Sequence, residues 1–410
     1  MAEVNEGELV DEGVLPPDDF HQNIERIREV AEYDIELPDD LFERLVKAAE
    51  HLLVDRETLF SAATALITGN LILQGPPGTG KSSLARALCR AFNCLVLPVT
   101  AHENWSTFEV IGRQELRVSN EGEEIVPVNG FFTEAVIRCA GAVVKHFDEP
   151  GEPQAEWLLI DELNRAHLDK AFGELFTVLG TDDLVSITLP HQPIGNRELV
   201  TPKRFRIIAT LNSVDRQFVN SLGQGLKRRF TFITLDVPPP MKSGEAWGED
   251  KAESSLASRE FSVVLQRAAE RIAKRLALGD EDRYQEYYRD FLELLQTRAR
   301  TAIEGLFNFV AGVRYAAAES KTPHLPIGTA QMIDVVELFL TKAHAQKSGE
   351  GDFPTLMDWA ASIKLAPLFD ADTINAADLE EFVKRLPQPF DNLTGREIKK
   401  IVAAGLYFVE

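Results

Sequence analysis

The chain has 410 residues, enough for two domains with room for a third. It is 44% hydrophobic and 26% charged, the balance of a globular protein rather than a disordered or fibrous one. Its 65 acids against 43 lysines and arginines give a net charge of −22, which argues against a broad electrostatic grip on nucleic acid or an anionic membrane.

In chain order, residues 1–40 hold 14 acids and only Arg26 and Arg28 as bases, just over half of the whole excess. This stretch reads as an acidic N-terminal arm with one short helix near Asn23–Ala31. Its acidic start is unlike a secretory signal, and no apolar run in the chain reaches the ~18–20 residues of a membrane span. From Leu41 the character changes: Leu41, Phe42, Leu45, Val46, Ala49, Leu52 and Leu53 recur at helical spacing.

Five short apolar runs follow: Leu71–Leu73, Leu95–Leu97, Trp157–Ile160, Arg206–Thr210 and Thr231–Leu235. They are unbroken rather than alternating, and helical patterns separate them. That predicts an α/β core over residues 41–238, with a five-stranded parallel sheet flanked by helices. Cys89, Cys94 and Cys139 are odd in number and lack metal-ligand spacing. They read as small buried apolar residues of a reducing, cytoplasmic setting. Residues 239–256, after Pro238-Pro239-Pro240, read as a linker. Beyond it, residues 257–410 show only helical patterns, clearest at Phe261–Leu276, Tyr284–Gln296, Ala302–Ala317, Ala330–Ala345 and Ala376–Arg385. An all-α domain is expected there.

The chemistry concentrates at strand ends. Gly75-Pro76-Pro77-Gly78-Thr79-Gly80-Lys81-Ser82 fits G-x-x-x-x-G-K-[ST], with a strand before it and a helical run, Ser83–Phe92, after it. Glycines let backbone N–H groups curl around phosphates, and the helix start adds a favourable dipole. Lys81 is expected to reach the β- and γ-phosphates and Ser82 to offer its hydroxyl to Mg²⁺. The run Trp157–Ile160 ends in Asp161-Glu162. At the carboxyl end of a parallel strand, Asp161 suits the Mg²⁺ shell and Glu162 suits activation of a water. Asn212 ends another strand, where a neutral amide can bond a γ-phosphate or the attacking water. Gly225-Leu226-Lys227-Arg228-Arg229-Phe230 offers arginines that could meet a neighbour's γ-phosphate; the plainer reading is a basic helix end.

Together these residues resemble the AAA+ ATPases. GPPGTGKS, IDELNRAH at Ile160–His167, ATLNSVDR at Ala209–Arg216 and GLKRRF stand in that family's order and separation. Asp161–Ala166 is similar to the MoxR, McrB and dynein-related group. Asn212–Arg216 with the Arg228-Arg229-Phe230 ending is most similar to McrB-type domains. Ile111–Ala135 is similar to that group's hairpin insert, and reads equally well as a plain surface hairpin.

The resemblance implies an AAA+ core with an all-α lid, and ATP (or GTP) with Mg²⁺ as ligands. Gly75, Pro76, Pro77, Gly78, Thr79, Gly80, Lys81, Ser82 and Ser83 would bind phosphates, Ser82 and Asp161 would hold the metal, and Glu162 would be the catalytic base. Asn212 would be the first sensor and Arg229, with Arg228 second, the finger acting in trans. Asn164, Arg165 and Arg216 match family positions near a subunit interface. It further implies a ring, a hexamer by family habit. That ring would drive a protein effector such as a nuclease in antiphage defence or, in the MoxR-like alternative, act as a chaperone with a von Willebrand-type partner. Direct DNA contact is left open.

One departure stands out. Ile327-Gly328-Thr329-Ala330-Gln331 occupies the place of the second-sensor arginine, leaving Arg314 as a candidate substitute or the coupling between lid and nucleotide weaker. That favours, as a second reading, a nucleotide-gated assembly switch with little turnover. Two expectations concern charge. Lys203–Phe230 sums to +6 and is expected to give the phosphates a basic interface. Deleting residues 1–36 is expected to spare hydrolysis while altering partner binding.

Overall fold

The computed structural model describes residues 20, 23–119, 122–172, 175, 185–212, 227–241, 247–248, 255–316, 324–369, 374 and 376–406. They divide into two compact units. One holds the chain up to Gly75 together with Lys81–Leu235; the other holds Pro76–Gly80 together with the chain from Asp236.

The first unit is built on five parallel strands: β1 (Asn70–Gly75), β2 (Cys94–Thr100), β5 (Ala155–Asp161), β8 (Ile207–Asn212) and β9 (Phe230–Thr234), in the order β2-β5-β8-β1-β9. All five coincide with the apolar runs. The residues of β5 and β8 are buried up to their last position, the pattern of strands covered on both faces. Helices α2 (Leu41–Ala48), α3 (Arg56–Thr68), α4 (Lys81–Ala91) and α6 (Phe131–Asp148) belong to this unit; α3 packs on β1 and β9, α4 on β1, β2, β5 and β8, and α6 on β5. Asp55 caps α3, accepting from the Thr58 amide at 2.8 Å. The three cysteines are free and buried, and burial pushes the Cys89 and Cys139 thiols up to about 12.

Residues 112–129 form an antiparallel hairpin of β3 (Gly112–Ser119) and β4 (Gly122–Asn129), after a one-turn helix α5 (Thr107–Val110). Gly112 is a true glycine position: its φ is +137°, and a Cβ there would lie 2.5 Å from the Val128 carbonyl. A short helix α7 (Leu168–Phe172) follows β5. A second hairpin, β6 (Val185–Thr188) with β7 (Glu198–Thr201), is not announced by the sequence.

The expected arm is reduced by what the structure describes. Helix α1 (Ile24–Ala31) forms where foreseen, but Phe20, Ile27, Val30 and Ala31 are buried in the first unit's core. At the end of α1 the Ala31 carbonyl accepts the Lys203 amide at 2.9 Å, and beyond the helix Glu36 accepts Arg204 Nη2 at 2.8 Å. The core therefore recruits apolar residues well before residue 41.

The second unit is helical: α8 (Leu256–Ala277), α9 (Glu281–Gln296), α10 (Arg300–Arg314), α11 (Thr329–Gln346), α12 (Phe353–Lys364), α13 (Ala376–Lys384) and α14 (Leu393–Leu406). Its core is rich in phenylalanine, including Phe261, Phe307, Phe309, Phe339, Phe353 and Phe390. Part of the expected linker is packed rather than free. Trp247 lies 5.1 Å from the Phe307 ring, and its carbonyl accepts Arg300 Nη2 at 2.9 Å.

Candidate active site

Within the first unit, the register sets the site. Parallel pairing of β1 with β8 places Gly75 opposite Asn212, so the start of the glycine-rich loop and the amide at the end of β8 are neighbours. In the loop itself, Gly78 and Gly80 have φ of +78° and +86°, the region where a side chain is disfavoured. Lys81 and Ser82 then open α4, with Ser83 exposed behind them. Lys81 Nζ donates to the Gly75 carbonyl at 2.8 Å. Its burial drives the ammonium pKa down to about 8, against the opposing pull of Asp161 and Glu162.

Asp161, the last residue of β5, meets that helix start. Ser82 Oγ donates to Asp161 Oδ1 at 2.7 Å and lies 2.9 Å from Oδ2. Thr210, in β8, adds a second hydroxyl: its Oγ1 donates to Asp161 Oδ1 at 2.6 Å and accepts the Glu162 amide at 2.9 Å. Glu162 adopts a left-handed backbone (φ 56°, ψ 45°), which for a residue with a Cβ costs about 1–3 kcal/mol. Its carboxylate pairs with Arg165 Nε at 2.5 Å; both side chains are well exposed, so the pair contributes at most about 1 kcal/mol. Asn164 is buried and its Oδ1 accepts the Asn212 amide at 3.2 Å, tying the turn after β5 to the end of β8.

The serine hydroxyl and aspartate carboxylate are hard oxygen donors in contact. No group of three His, Cys, Asp or Glu among the described residues could hold a metal by itself. Such a donor set fits Mg²⁺, which keeps several waters and takes phosphate oxygens as its remaining ligands.

Lys81, Ser82, Asp161, Glu162 and Asn212 are thus brought together at the carboxyl ends of β1, β5 and β8. Arg228 and Arg229 are not. They precede β9, whose Phe230 is opposite Asn70. Asn70 and Gly75 are the two ends of β1, so the arginines begin at the opposite end of the strands, roughly 17 Å from Gly75 at ~3.3 Å per residue.

The basic interface expected over Lys203–Phe230 does not assemble as summed. Lys203 pairs with Glu32 at 3.1 Å and Arg204 with Glu36 at 2.8 Å. Arg206 donates to the carbonyls of Leu66, Ile67, Lys203 and Phe205. All three precede β8 and lie at the opposite end of that strand from Asn212. Arg216 and the rest of 213–226 lie outside the described residues.

Arg314 is also unsuited to stand in for a second sensor. In the helical unit its Nη1 and Nη2 grip Glu260 at 2.7 and 2.9 Å, its Nε donates to the Ile327 carbonyl at 2.6 Å, and both side chains are buried. In the same unit, a Cβ on Gly328 would sit 2.2 Å from the Pro77 carbonyl, and the Ala330 amide donates to the Gly78 carbonyl at 3.3 Å. Close backbone packing therefore excludes a side chain at 328.

Thr210 is the site residue that motif reading missed. Its only signal is a hydroxyl inside the otherwise apolar run Ile207–Leu211.

Comparison with known sequences agrees with this geometry. The AAA domain family (dynein-related subfamily) matches residues 70–230. The chain is 29% identical over 191 residues to the type IV methyl-directed restriction enzyme EcoKMcrB subunit of Escherichia coli K12, covering 44% of this chain and 38% of that protein. It is 27% identical over 187 residues to an uncharacterized protein of Staphylococcus epidermidis, covering 44% of this chain and 61% of that protein. An uncharacterized protein of Staphylococcus aureus (strain USA300) is 28% identical over 195 residues, covering 46% and 64%. Each match spans less than two thirds of the relative. The motifs, the sheet order and these likenesses support an AAA+ domain of the McrB/dynein-related group over residues 70–230.

Proposed function

We propose that the chain binds ATP with Mg²⁺ at the carboxyl ends of β1, β5 and β8, hydrolyses it, and uses the cycle to drive a partner protein. The observation that carries this is the junction of Lys81, Ser82, Asp161 and Glu162, with the Ser82 hydroxyl 2.7 Å from the Asp161 carboxylate. Lys81 would bond the β- and γ-phosphates, and Ser82 and Asp161 would hold the metal, which when bound offsets phosphate charge. Glu162 would orient and deprotonate the attacking water, and Asn212 would bond the γ-phosphate or that water. Arg229, with Arg228 as the second choice, starts too far along the sheet to serve its own site. By resemblance it would act in trans, on a neighbour's γ-phosphate, in a ring of copies, a hexamer, and its distance from its own site is compatible with that role.

The Escherichia coli relative is by name a subunit of a restriction enzyme. By likeness to it, we read this chain as a motor subunit in antiphage defence, driving an effector such as a nuclease. A MoxR-like chaperone with a von Willebrand-type partner is the alternative role. A switch with little turnover is favoured by one observation, the absence of a guanidinium at 328–331 combined with the engagement of Arg314 by Glu260.

Steady-state ATP turnover with Mg²⁺ separates the motor, in either role, from the switch. Lys81→Ala should abolish nucleotide binding, Glu162→Gln should trap bound nucleotide, and Arg229→Ala should remove turnover while leaving binding. Wild-type hydrolysis in Glu162→Gln would sink the site assignment. Stoichiometric binding with assembly and no turnover in the wild type would establish the switch.

A further inference from the structure

We infer that Thr210 is the positioning residue that sets both acids of the site, fixing the Asp161 carboxylate and the Glu162 backbone through one hydroxyl. This rests on the reading of Asp161 and Glu162 as the metal and water carboxylates.

Main-chain pairing of β5 with β8 runs through Leu158↔Ile207, Leu159↔Ile208 and Ile160↔Ala209, then stops. The next register position is Asp161 opposite Thr210. There β5 gives way to the turn that carries Glu162, while β8 continues its pairing with β1 through Thr210 and Leu211 to Asn212. Thr210 Oγ1 takes over where the ladder ends. Its proton goes to Asp161 Oδ1 at 2.6 Å, the length of a charge-assisted O–H···O⁻ bond. One of its lone pairs accepts the Glu162 amide at 2.9 Å.

Both bonds have consequences for chemistry. Asp161 Oδ1 also receives the Ser82 hydroxyl, so Thr210 fixes the rotamer that turns this carboxylate toward α4. Glu162 sits in a left-handed conformation that its Cβ disfavours, and the bond to its amide is what the β8 strand supplies to hold it there. A hydroxyl has one proton to donate, and here it is spent on Asp161, which orients the lone pair toward Glu162. Thr210 is 1% exposed, so water cannot replace either bond without opening the sheet. Valine has the same shape and neither bond. Serine keeps both.

The test uses the full-length chain and four variants: Thr210→Val, Thr210→Ser, Asp161→Ala and Glu162→Gln. Outer-shell partners of metal ligands typically carry about 10–100-fold in activity or metal affinity. Thr210→Val is expected to lose that much in kcat and to need more Mg²⁺ for half-maximal turnover. Its affinity for ATP in EDTA should stay within about twofold, because Lys81 and the loop are untouched; a purely structural defect would lower that affinity too. Thr210→Ser should recover kcat to within a few-fold of wild type. If Thr210→Val does not fold, Thr210→Ala takes its place with the same expectation. Wild-type kcat and Mg²⁺ response in a folded Thr210→Val, or equal damage in Thr210→Ser, overturns the inference while the inactivity of Glu162→Gln keeps the site reading intact. Wild-type hydrolysis in Asp161→Ala and Glu162→Gln overturns both.

Discussion

Lys81 titrates where few lysines do. Burial disfavours its ammonium and outweighs Asp161 and Glu162, so its pKa in the free protein falls to about 8. A phosphate ligand needs the charged form and raises that pKa on binding. Affinity for ATP should therefore be level below pH 8 and fall as pH rises through it, at a limit of roughly tenfold per pH unit. The stability effect has the opposite sign. Because the folded-state value lies below the ordinary 10.5, deprotonation favours the folded form, and this group adds stability as pH climbs from about 8 toward 10.5. Calorimetric titration with ATP at pH 7, 8 and 9 checks the first effect. A constant Kd across that range would show that Lys81 stays charged or does not meet the phosphates. At this scale, the sequence disclosed residues carried by a contiguous pattern. Lys81 and Ser82 lie in one motif and Asp161 and Glu162 close one apolar run, so each was legible. Thr210 was not, because its role comes from facing Asp161 across two strands some 50 positions apart, and only the register reveals that.

Among elements, the parallel strands were the most legible, since strands buried on both faces leave unbroken apolar runs. The helices α12 and α14 were harder. The first is apolar on most sides and begins beside Pro354; the second carries Gly395 in its first turn, and its start is fixed from afar by buried Asp358, which accepts the Leu393 and Thr394 amides at 2.7 and 2.9 Å. Hidden in the same way was the tie between α8, α10 and α11. Glu260 of α8 receives Arg314 of α10 and also the Thr329 hydroxyl at the start of α11 at 2.6 Å. Removing one partner strands a buried charge, which typically costs about 3–5 kcal/mol. Arg314→Met should accordingly shift the denaturant unfolding of the helical unit by an amount in that range. The paired change Arg314→Met with Glu260→Leu should recover much of it. An Arg314→Met protein with unchanged unfolding and weakened ATP binding would instead restore Arg314 as a nucleotide contact.

For the whole molecule, the charge balance and the chain's beginning take on a different meaning once folded. The described cations of Lys203–Phe230 precede β8 and β9, at the end of the parallel sheet away from Gly75; Arg206 holds carbonyls at the end of α3, while Lys203 and Arg204 anchor the segment that carries α1. Acids of the supposed arm are their partners. Glu36 is one, held below the usual carboxylate range mainly by its hydrogen bond from Arg204. Arg204 itself is 2% exposed, with the Phe147 ring 5.0 Å away. Deleting residues 1–36 would therefore remove Phe20, Ile27, Val30 and Ala31 from the core and leave a buried guanidinium without its carboxylate. Each large apolar side chain lost from a core costs about 2–5 kcal/mol, and a domain has only about 5–15 kcal/mol in all. The truncated protein should therefore be unfolded or melt far below the intact chain, and its loss of turnover would say nothing about catalysis. Ile27→Ala, a single cavity in the same place, should lower stability by about 2–5 kcal/mol with kcat unchanged in the protein that remains folded. Thermal melts of both, read beside ATP turnover, decide the matter. A deletion of 1–36 that melts with the intact protein would show that the N-terminal helix is a dispensable arm after all.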